Sequence, residues 1–313
     1  MGFLRRGTAL MAGYTLTRPA APTVRSERAQ AVRLGRWLLI YLLVALGSLV
    51  SMFPFVWTVL SSGKEVSELY RYPPTLWPST PRFLENYQEI WRLVPFGRWL
   101  VNTAVVTGLS LVGTVLSATV VAYSFARFRY PGRDLAFFVT LGTLMLPVEV
   151  TLIPTYLLFR NLGWLDTYLP LVIPSWLGGG AFNVFLMRQF FMSIPYDLDE
   201  AARIDGAGSF RVLWQILAPL CKPALATMAT LGFISHWNSF LGPLIYLNSP
   251  EKYLVAVGLR YFQSGAAQGS AVALPQDHLL MGAALMVALP CLILFFLAQK
   301  YFVQGIVMSG IKG

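Results

Sequence analysis

Apolar residues in this chain fall into long blocks separated by short polar stretches. Six blocks run through approximately 37–60, 99–123, 135–158, 168–192, 222–247 and 277–299. Each is long enough to cross a bilayer, which takes about 20 helical residues. Transmembrane β-barrels show short alternating segments instead. The pattern therefore predicts an all-α integral membrane protein with six transmembrane helices. Gly47 and Pro54, Pro147 and Pro154, and Gly178 to Gly180 lie inside the blocks. Membrane helices tolerate such residues where neighbouring helices satisfy the freed backbone groups, so a packed bundle around a pathway is expected.

The segments outside the blocks differ in character. Residues 1–36 are polar and basic; the apolar run Thr8 to Tyr14 is too short and polar for a signal-peptide core. This stretch reads as a flexible cytoplasmic tail. Residues 62–97 mix Pro73, Pro74, Pro78, Pro81 and Pro95 with Tyr70, Tyr72, Trp77, Tyr87 and Trp91, the composition of a surface loop with an interfacial aromatic belt. Residues 248–276 form a second polar excursion. The transmembrane domain is placed at 37–302 and a C-terminal cytoplasmic tail at 303–313.

Composition agrees with this. Of 313 residues 56% are hydrophobic and 12% charged, and mean hydropathy is +0.60. Disorder and a soluble nucleic-acid binder are excluded on that balance, and two cysteines make no disulfide framework. The net charge of +10 still needs a location. With the N-terminus inside and six spans alternating, sixteen Lys and Arg fall on the cytoplasmic side and eight outside. The positive-inside rule then favours both termini inside. Arg127, Arg129 and Arg133, in one short loop, are the cleanest local signal.

The loop Pro195 to Pro219 is the most informative segment. Asp197 suits an N-cap, with Glu200 three residues later as in a capping box. A short helix is expected over about Leu198 to Asp205, with Gly206 at the left-handed position that ends it. Ser209 can cap a second helix carrying Phe210, Leu213, Trp214 and Leu217 on one face. Ala201 and Ala202 give the first helix a small-residue face. An interfacial helix that only closes the bundle fits these features equally well.

Glu200-Ala201-Ala202, Gly206 four residues on, then Ile216 and Pro219 resemble the EAA motif of binding-protein-dependent ABC importer permeases. Asp205-Gly206-Ala207 is similar to the carbohydrate, maltose-type branch; Ala218 departs from the usual Leu, a packing change. Phe83 to Tyr87, Asn102, Ala122-Tyr123, Ala126 to Arg133, Trp237-Asn238, Pro243-Leu244 and Gln299 to Ile306 match the same family, so the resemblance covers 75–313. It implies the smaller permease subunit of a carbohydrate importer in a prokaryotic cell membrane. A second permease, two ATPase subunits and an extracytoplasmic solute-binding protein would be its partners, besides the sugar-like solute and membrane lipid. It also implies a cytoplasmic coupling helix between the fourth and fifth spans, carried by Glu200, Ala201, Ala202, Asp205 and Gly206, that meets an ATPase. Residues 303–313 resemble a tail that reaches toward the ATPase interface. Pro147 to Val150 and Arg188 to Phe191 also look like permeases for glycerol-3-phosphate or its diesters.

What the sequence lacks fits a conduit without catalysis. No P-loop motif is present, so ATP and Mg are expected on a separate subunit and no cofactor in this chain. His236 and His278 are isolated, Cys221 and Cys291 read as packing residues, and no metal-ligand or Ser/His/Asp set stands out. A secondary transporter would need no ATPase and would often show inverted repeats; none is obvious.

Polar residues inside the spans are the pathway candidates. An ionisable group there is costly and must face protein or water, which marks Glu149, behind Pro147, as either a gate or a buried structural carboxyl. Ser235, His236, Asn238 and Ser239 flank Trp237 in the fifth span, and Ser175 and Asn183 lie in the fourth. Sugar sites combine hydrogen-bonding groups with aromatic faces, so Trp237, Asn238 and Asn183 are candidates. Hydrogen bonding to a neighbouring helix is the plainer role.

Overall fold

A computed structural model describes residues 24–263 and 276–310. The described residues contain helices and loops and no strand. Contacts divide the chain into two units, Met1–Val56 and Trp57–Gly313. The first is built on helix α1 (Val24–Ser61), whose apolar part is Val32–Ser61. The helix starts well before residue 37, so residues 24–36 of the expected flexible tail are helical. Its sequence there, with four Arg and two Ala in thirteen residues, favours a helix. Residues 1–23 lie outside the described residues.

In the second unit, α2 (Val66–Leu69) and α3 (Phe83–Leu93) build the loop after α1. The buried Glu68 carboxylate organises it, accepting from the Ser79 N–H at 2.8 Å and from the Thr75 and Ser79 hydroxyls. Helix α4 (Phe96–Arg127) is the central rod. Next come α5 (Arg133–Gly142) and α6 (Val148–Asn161). The expected single span 135–158 is instead broken by a 102° bend. Pro147 lacks an N–H and holds Leu146 extended, at φ −82° and ψ 117°, which ends the first helix.

The fourth apolar block is likewise two helices, α7 (Leu169–Trp176) and α8 (Ala181–Ser193). Gly178, Gly179 and Gly180 join them at φ +101°, +66° and +87°, values that only glycine adopts freely. The loop helix α9 (Asp197–Ile204) follows. Then α10 (Ser209–Arg211) and α11 (Ala218–Leu220) bracket π-type turns over Val212–Leu217. The fifth block gives α12 (Lys222–Trp237) and the separate α13 (Leu241–Tyr246). An 83° bend separates Ser209–Leu220 from α12. Short helices α14 (Val255–Gly258) and α15 (Arg260–Gln263) precede α16 (Asp277–Gly310). Backbone of the expected tail 303–313 thus continues α16 as far as Gly310; residues 311–313 lie outside the described residues.

Among the described residues, four helical segments are long and apolar enough to cross a bilayer: Val32–Ser61, Phe96–Arg127, Leu169–Ser193 and Asp277–Gln299. Counting each bent pair as one span brings the number to six.

α4 packs against α7, α8 and α12. Gly113 makes the approach of α7 possible, since a Cβ there would lie 2.4 Å from Trp176. One apolar core surrounds the C-terminal half of α4 with Tyr123, Phe125, Met187, Phe191, Val212 and Leu217. Another, at the opposite end, joins Ile90, Phe96, Trp99, Trp237, Phe262 and Leu279. At that end the loops are tied by polar groups. Asp166 accepts from Lys252 Nζ at 2.7 Å, from the Ser249 hydroxyl at 2.6 Å and from the Asn248 and Ser249 N–H groups. Lys252, with these donors, holds the Asp166 carboxyl well below the usual carboxylate range.

Candidate functional site

The loop helix α9 is shaped by its two ends. Tyr196, with φ −70° and ψ −22°, is already helical and occupies the N-cap. The expected Asp197–Glu200 capping box is therefore not formed: Asp197 lies inside the helix, and the Asp199 and Glu200 N–H groups bond the Tyr196 carbonyl at 2.9 and 3.2 Å. Asp197, Asp199 and Glu200 still favour the positive end of the helix dipole. The other end is as expected. Gly206 stands at φ +81°. Its N–H bonds the Arg203 carbonyl at 3.0 Å, and the Ala207 N–H reaches back to Ala202 at 2.9 Å. This double closure is a Schellman motif.

Of the five predicted loop residues, Glu200, Ala201, Asp205 and Gly206 are exposed, whereas Ala202 is buried in the core beside α4. The exposed side also carries Ile204 and Phe210, 85% and 75% exposed. Phe210 is thus turned away from Leu213 and Leu217, which are buried; the π-type turns shift the phase of the expected apolar face.

Beneath α9 lies a pair that sequence spacing does not reveal. Arg127, the last residue of α4, places Nη2 3.2 Å from Asp199 Oδ2, with side chains only 4% and 0% exposed. The same nitrogen donates to the Ile194 carbonyl at 3.0 Å, and the guanidinium lies 5.5 Å from the Tyr196 ring centre. Burial pushes the Asp199 carboxyl above the ordinary carboxylate range, against the opposing pull of Arg127 and Arg203. The signal available in sequence was an arginine closing a long apolar block.

A second site opens in the middle of the bundle. A cleft of about 420 Å³ lies between α4, the α7–α8 break and α12. Thr114, Ser175, Asn183, Ser235 and His236 bring hydroxyl, amide and imidazole groups to it, and Gly179 and Gly180 bring backbone. No charged residue lines it. The break fits here because Gly179 lies against α4; a Cβ on it would be 2.5 Å from the Thr114 carbonyl oxygen. Asn183 holds the break, donating to the Gly179 carbonyl at 2.8 Å.

The structure thus gathers Ser175 and Asn183 with Ser235 and His236, two pairs far apart in sequence. It places the other predicted pathway residues elsewhere. Trp237 is buried, its Nε1 donates to the Val287 carbonyl at 3.0 Å, and its ring stacks on Phe233. Successive helix positions diverge by about 100°, so Trp237 turns into the α16 contact while His236 faces the cleft. Asn238 caps α12, donating to the Ile234 carbonyl at 2.8 Å. Glu149 is exposed in the first turn of α6, past the Pro147 break, and lines no part of the cleft. Thr114 and the glycine break are cleft elements that sequence reasoning missed.

Comparison with known proteins bears on both sites. The chain is 34% identical over 283 residues to the sn-glycerol-3-phosphate transport system permease protein UgpE of Yersinia pestis bv. Antiqua (strain Antiqua), covering 88% of this chain and 98% of the relative. It is 35% identical over 274 residues to the UgpE of Brucella abortus (strain 2308), covering 85% and 94%. Among solved structures, a chain of a bacterial ABC transporter involved in the import of the acidic polysaccharide alginate superposes with a TM-score of 0.73 at 27% identity, covering 89% of this chain and 98% of that one. A second chain, from the alginate transporter in complex with an alginate pentasaccharide-bound periplasmic protein, has a TM-score of 0.57 at 16% identity and shares the fold. The relatives are permease subunits, and residues 118–308, which include the loop and most of the cleft, match a single family. The chain belongs to the family of binding-protein-dependent transport system inner membrane components, the permease subunits of ABC importers.

Proposed function

We propose that this permease imports a carbohydrate or polyol-like solute, in a prokaryotic inner membrane that it crosses six times with both termini inside. It pairs with a second permease, receives solute from an extracytoplasmic binding protein and is driven by two ATPase subunits, which carry the ATP and Mg. Glu200, Ala201, Asp205 and Gly206 form the contact face of its coupling helix, and Ala202 seats that helix on the bundle. Asn183 lies on the solute path, with Thr114, Ser175, Ser235 and His236. Trp237 and Asn238 hold α12 in place.

The observation that carries the solute class is the cleft. Its lining is uncharged and rich in hydroxyl, amide and imidazole groups, which exchange hydrogen bonds with sugar hydroxyls. The structurally similar alginate importer, which takes up a polysaccharide, supports a saccharide. A second reading, sn-glycerol-3-phosphate, is favoured by the relatives at 34–35% identity; a phosphate would then find its cation on the partner permease.

The test is uptake into proteoliposomes holding the whole complex, with the cognate binding protein outside. Neutral saccharides, acidic saccharides and sn-glycerol-3-phosphate are compared. Saccharide uptake that falls in Asn183→Ala supports the reading. Transport of sn-glycerol-3-phosphate alone would replace it with the second. Uptake independent of the ATPase subunits would refute both.

A further inference from the structure

We propose that Arg127 and Asp199 form a pivot that positions the coupling helix on the end of α4. The inference rests on the coupling role of the 195–219 loop given above. α9 is tied to the bundle covalently through residues 194–196 and 206–208, and by the packing of Ala202. Arg127 adds a third attachment that belongs to a different span. One guanidinium meets the end of α8 at the Ile194 carbonyl, the N-cap of α9 at the Tyr196 ring, and the body of α9 at Asp199.

The geometry of the pair says what kind of attachment this is. Arginine and carboxylate ordinarily join through two parallel hydrogen bonds, which fix orientation as well as distance. Here the charges approach to 3.2 Å, but neither Asp199 oxygen receives a well-directed hydrogen bond among the described residues, and Arg127 Nε has no partner. The attraction is that of two charges shielded from water, where it is strong and weakly directional. Such a contact holds α9 against α4 while leaving its angle free to change. A forked pair would lock that angle. Because both side chains are buried, removing one leaves the other uncompensated.

The experiment uses the whole complex in proteoliposomes and reads the ATP hydrolysed per solute imported. In Asp199→Asn the ratio rises by about 2- to 30-fold, the range that coupling mutations span. Arg127→Lys keeps a point charge without the fork and stays near the wild-type ratio, whereas Arg127→Gln behaves like Asp199→Asn. An unchanged ratio in Asp199→Asn overturns the proposal, as does Arg127→Lys proving as harmful as Arg127→Gln. If the single variants do not assemble, the neutral pair Arg127→Gln with Asp199→Asn serves, because no lone charge remains buried; a wild-type ratio there is again refutation. Gly206→Asp separates this from the parent reading. Uncoupling by Gly206→Asp without uncoupling by Asp199→Asn removes the pivot alone, and an unaffected Gly206→Asp removes the coupling loop itself.

Discussion

Gly179→Ala is the sharpest probe of the cleft. A Cβ at this position would lie 2.5 Å from the Thr114 carbonyl oxygen, 2.7 Å from Ala118 Cβ and 2.9 Å from the Ala118 nitrogen. Ordinary contact begins at 3.4 Å, so the first distance is 0.9 Å short. Two of the three atoms are α4 backbone and cannot swing aside, so α4 and the α7–α8 break must separate. Overpacking of this kind costs about 1–3 kcal/mol. The left-handed backbone, φ +66°, adds about 1–2 kcal/mol for a residue with a Cβ. The sum is about 2–5 kcal/mol. Gly178→Ala is the control, because φ is +101° there but nothing lies within 4 Å of the new Cβ. Thermal unfolding of the purified complex should place Gly179→Ala several degrees below Gly178→Ala. Uptake should show a raised KM, because Thr114 and Gly179 both line the cleft. Equal melting of the two variants would refute the close-approach argument.

Other outcomes follow from the same geometry. Gly206 has open space around it but φ +81°, so Gly206→Asn, which tolerates that region, should keep more ATP-driven uptake than Gly206→Val; equal uptake in the two would show that backbone conformation is not the constraint. Trp237→Phe removes the indole donor to the Val287 carbonyl and should cost about 0.5–1.5 kcal/mol of stability without moving the uptake KM, whereas His236→Ala should raise KM at little cost in stability. The Asp166 carboxyl is held below its ordinary value by Lys252 and Ser249, so its contribution is complete above about pH 4, the unfolded value, and is lost as pH falls below that toward the folded value. Melting curves of Asp166→Asn and wild type should therefore differ at pH 7 and converge as pH is lowered; a constant difference would exclude this carboxylate as the source.

The apolar segments were legible because a bilayer demands apolar length, which is a local property, whereas the bends that break some of them were not. Gly206 was legible for the same reason: a helix end needs a left-handed residue, and one glycine stood at the right distance. The capping box was not, because Tyr196 is helical and shifts the start of α9 by a residue. Gly178 to Gly180 read as tolerated glycines within a span, and nothing in that segment says that α4 presses against it. The side that Trp237 faces depends on α16, and the Arg127–Asp199 pair joins residues on different helices. Ser175, Asn183, Ser235 and His236 were each visible as polar groups in apolar surroundings, but only the fold brings them together. In each case the missing information was the partner element.

α4 shows why the partners were hard to infer. Thr103, Thr107, Ser110 and Thr114 are all buried, at spacings of four, three and four. Ala118 and Ala122 continue the same seam. On the other side Val101, Val105, Leu109, Val112 and Val120 are turned outward. In a water-soluble helix this arrangement would be inside out. In lipid it is the economical one, because aliphatic side chains gain little from meeting one another, and association relies on close packing and interhelical hydrogen bonds. The seam does both: Ser110 donates to the Leu171 carbonyl at 3.1 Å, Ser117 to the Ser175 carbonyl at 3.0 Å, and Gly113 admits Trp176. Those carbonyls belong to α7, just ahead of the glycine break. Irregular backbone at membrane depth survives only where protein or a watered cavity satisfies it, and here α4 supplies one side and the cleft the other. The hydroxyl seam is therefore what permits the break, and the break is what gives the cleft its polar floor.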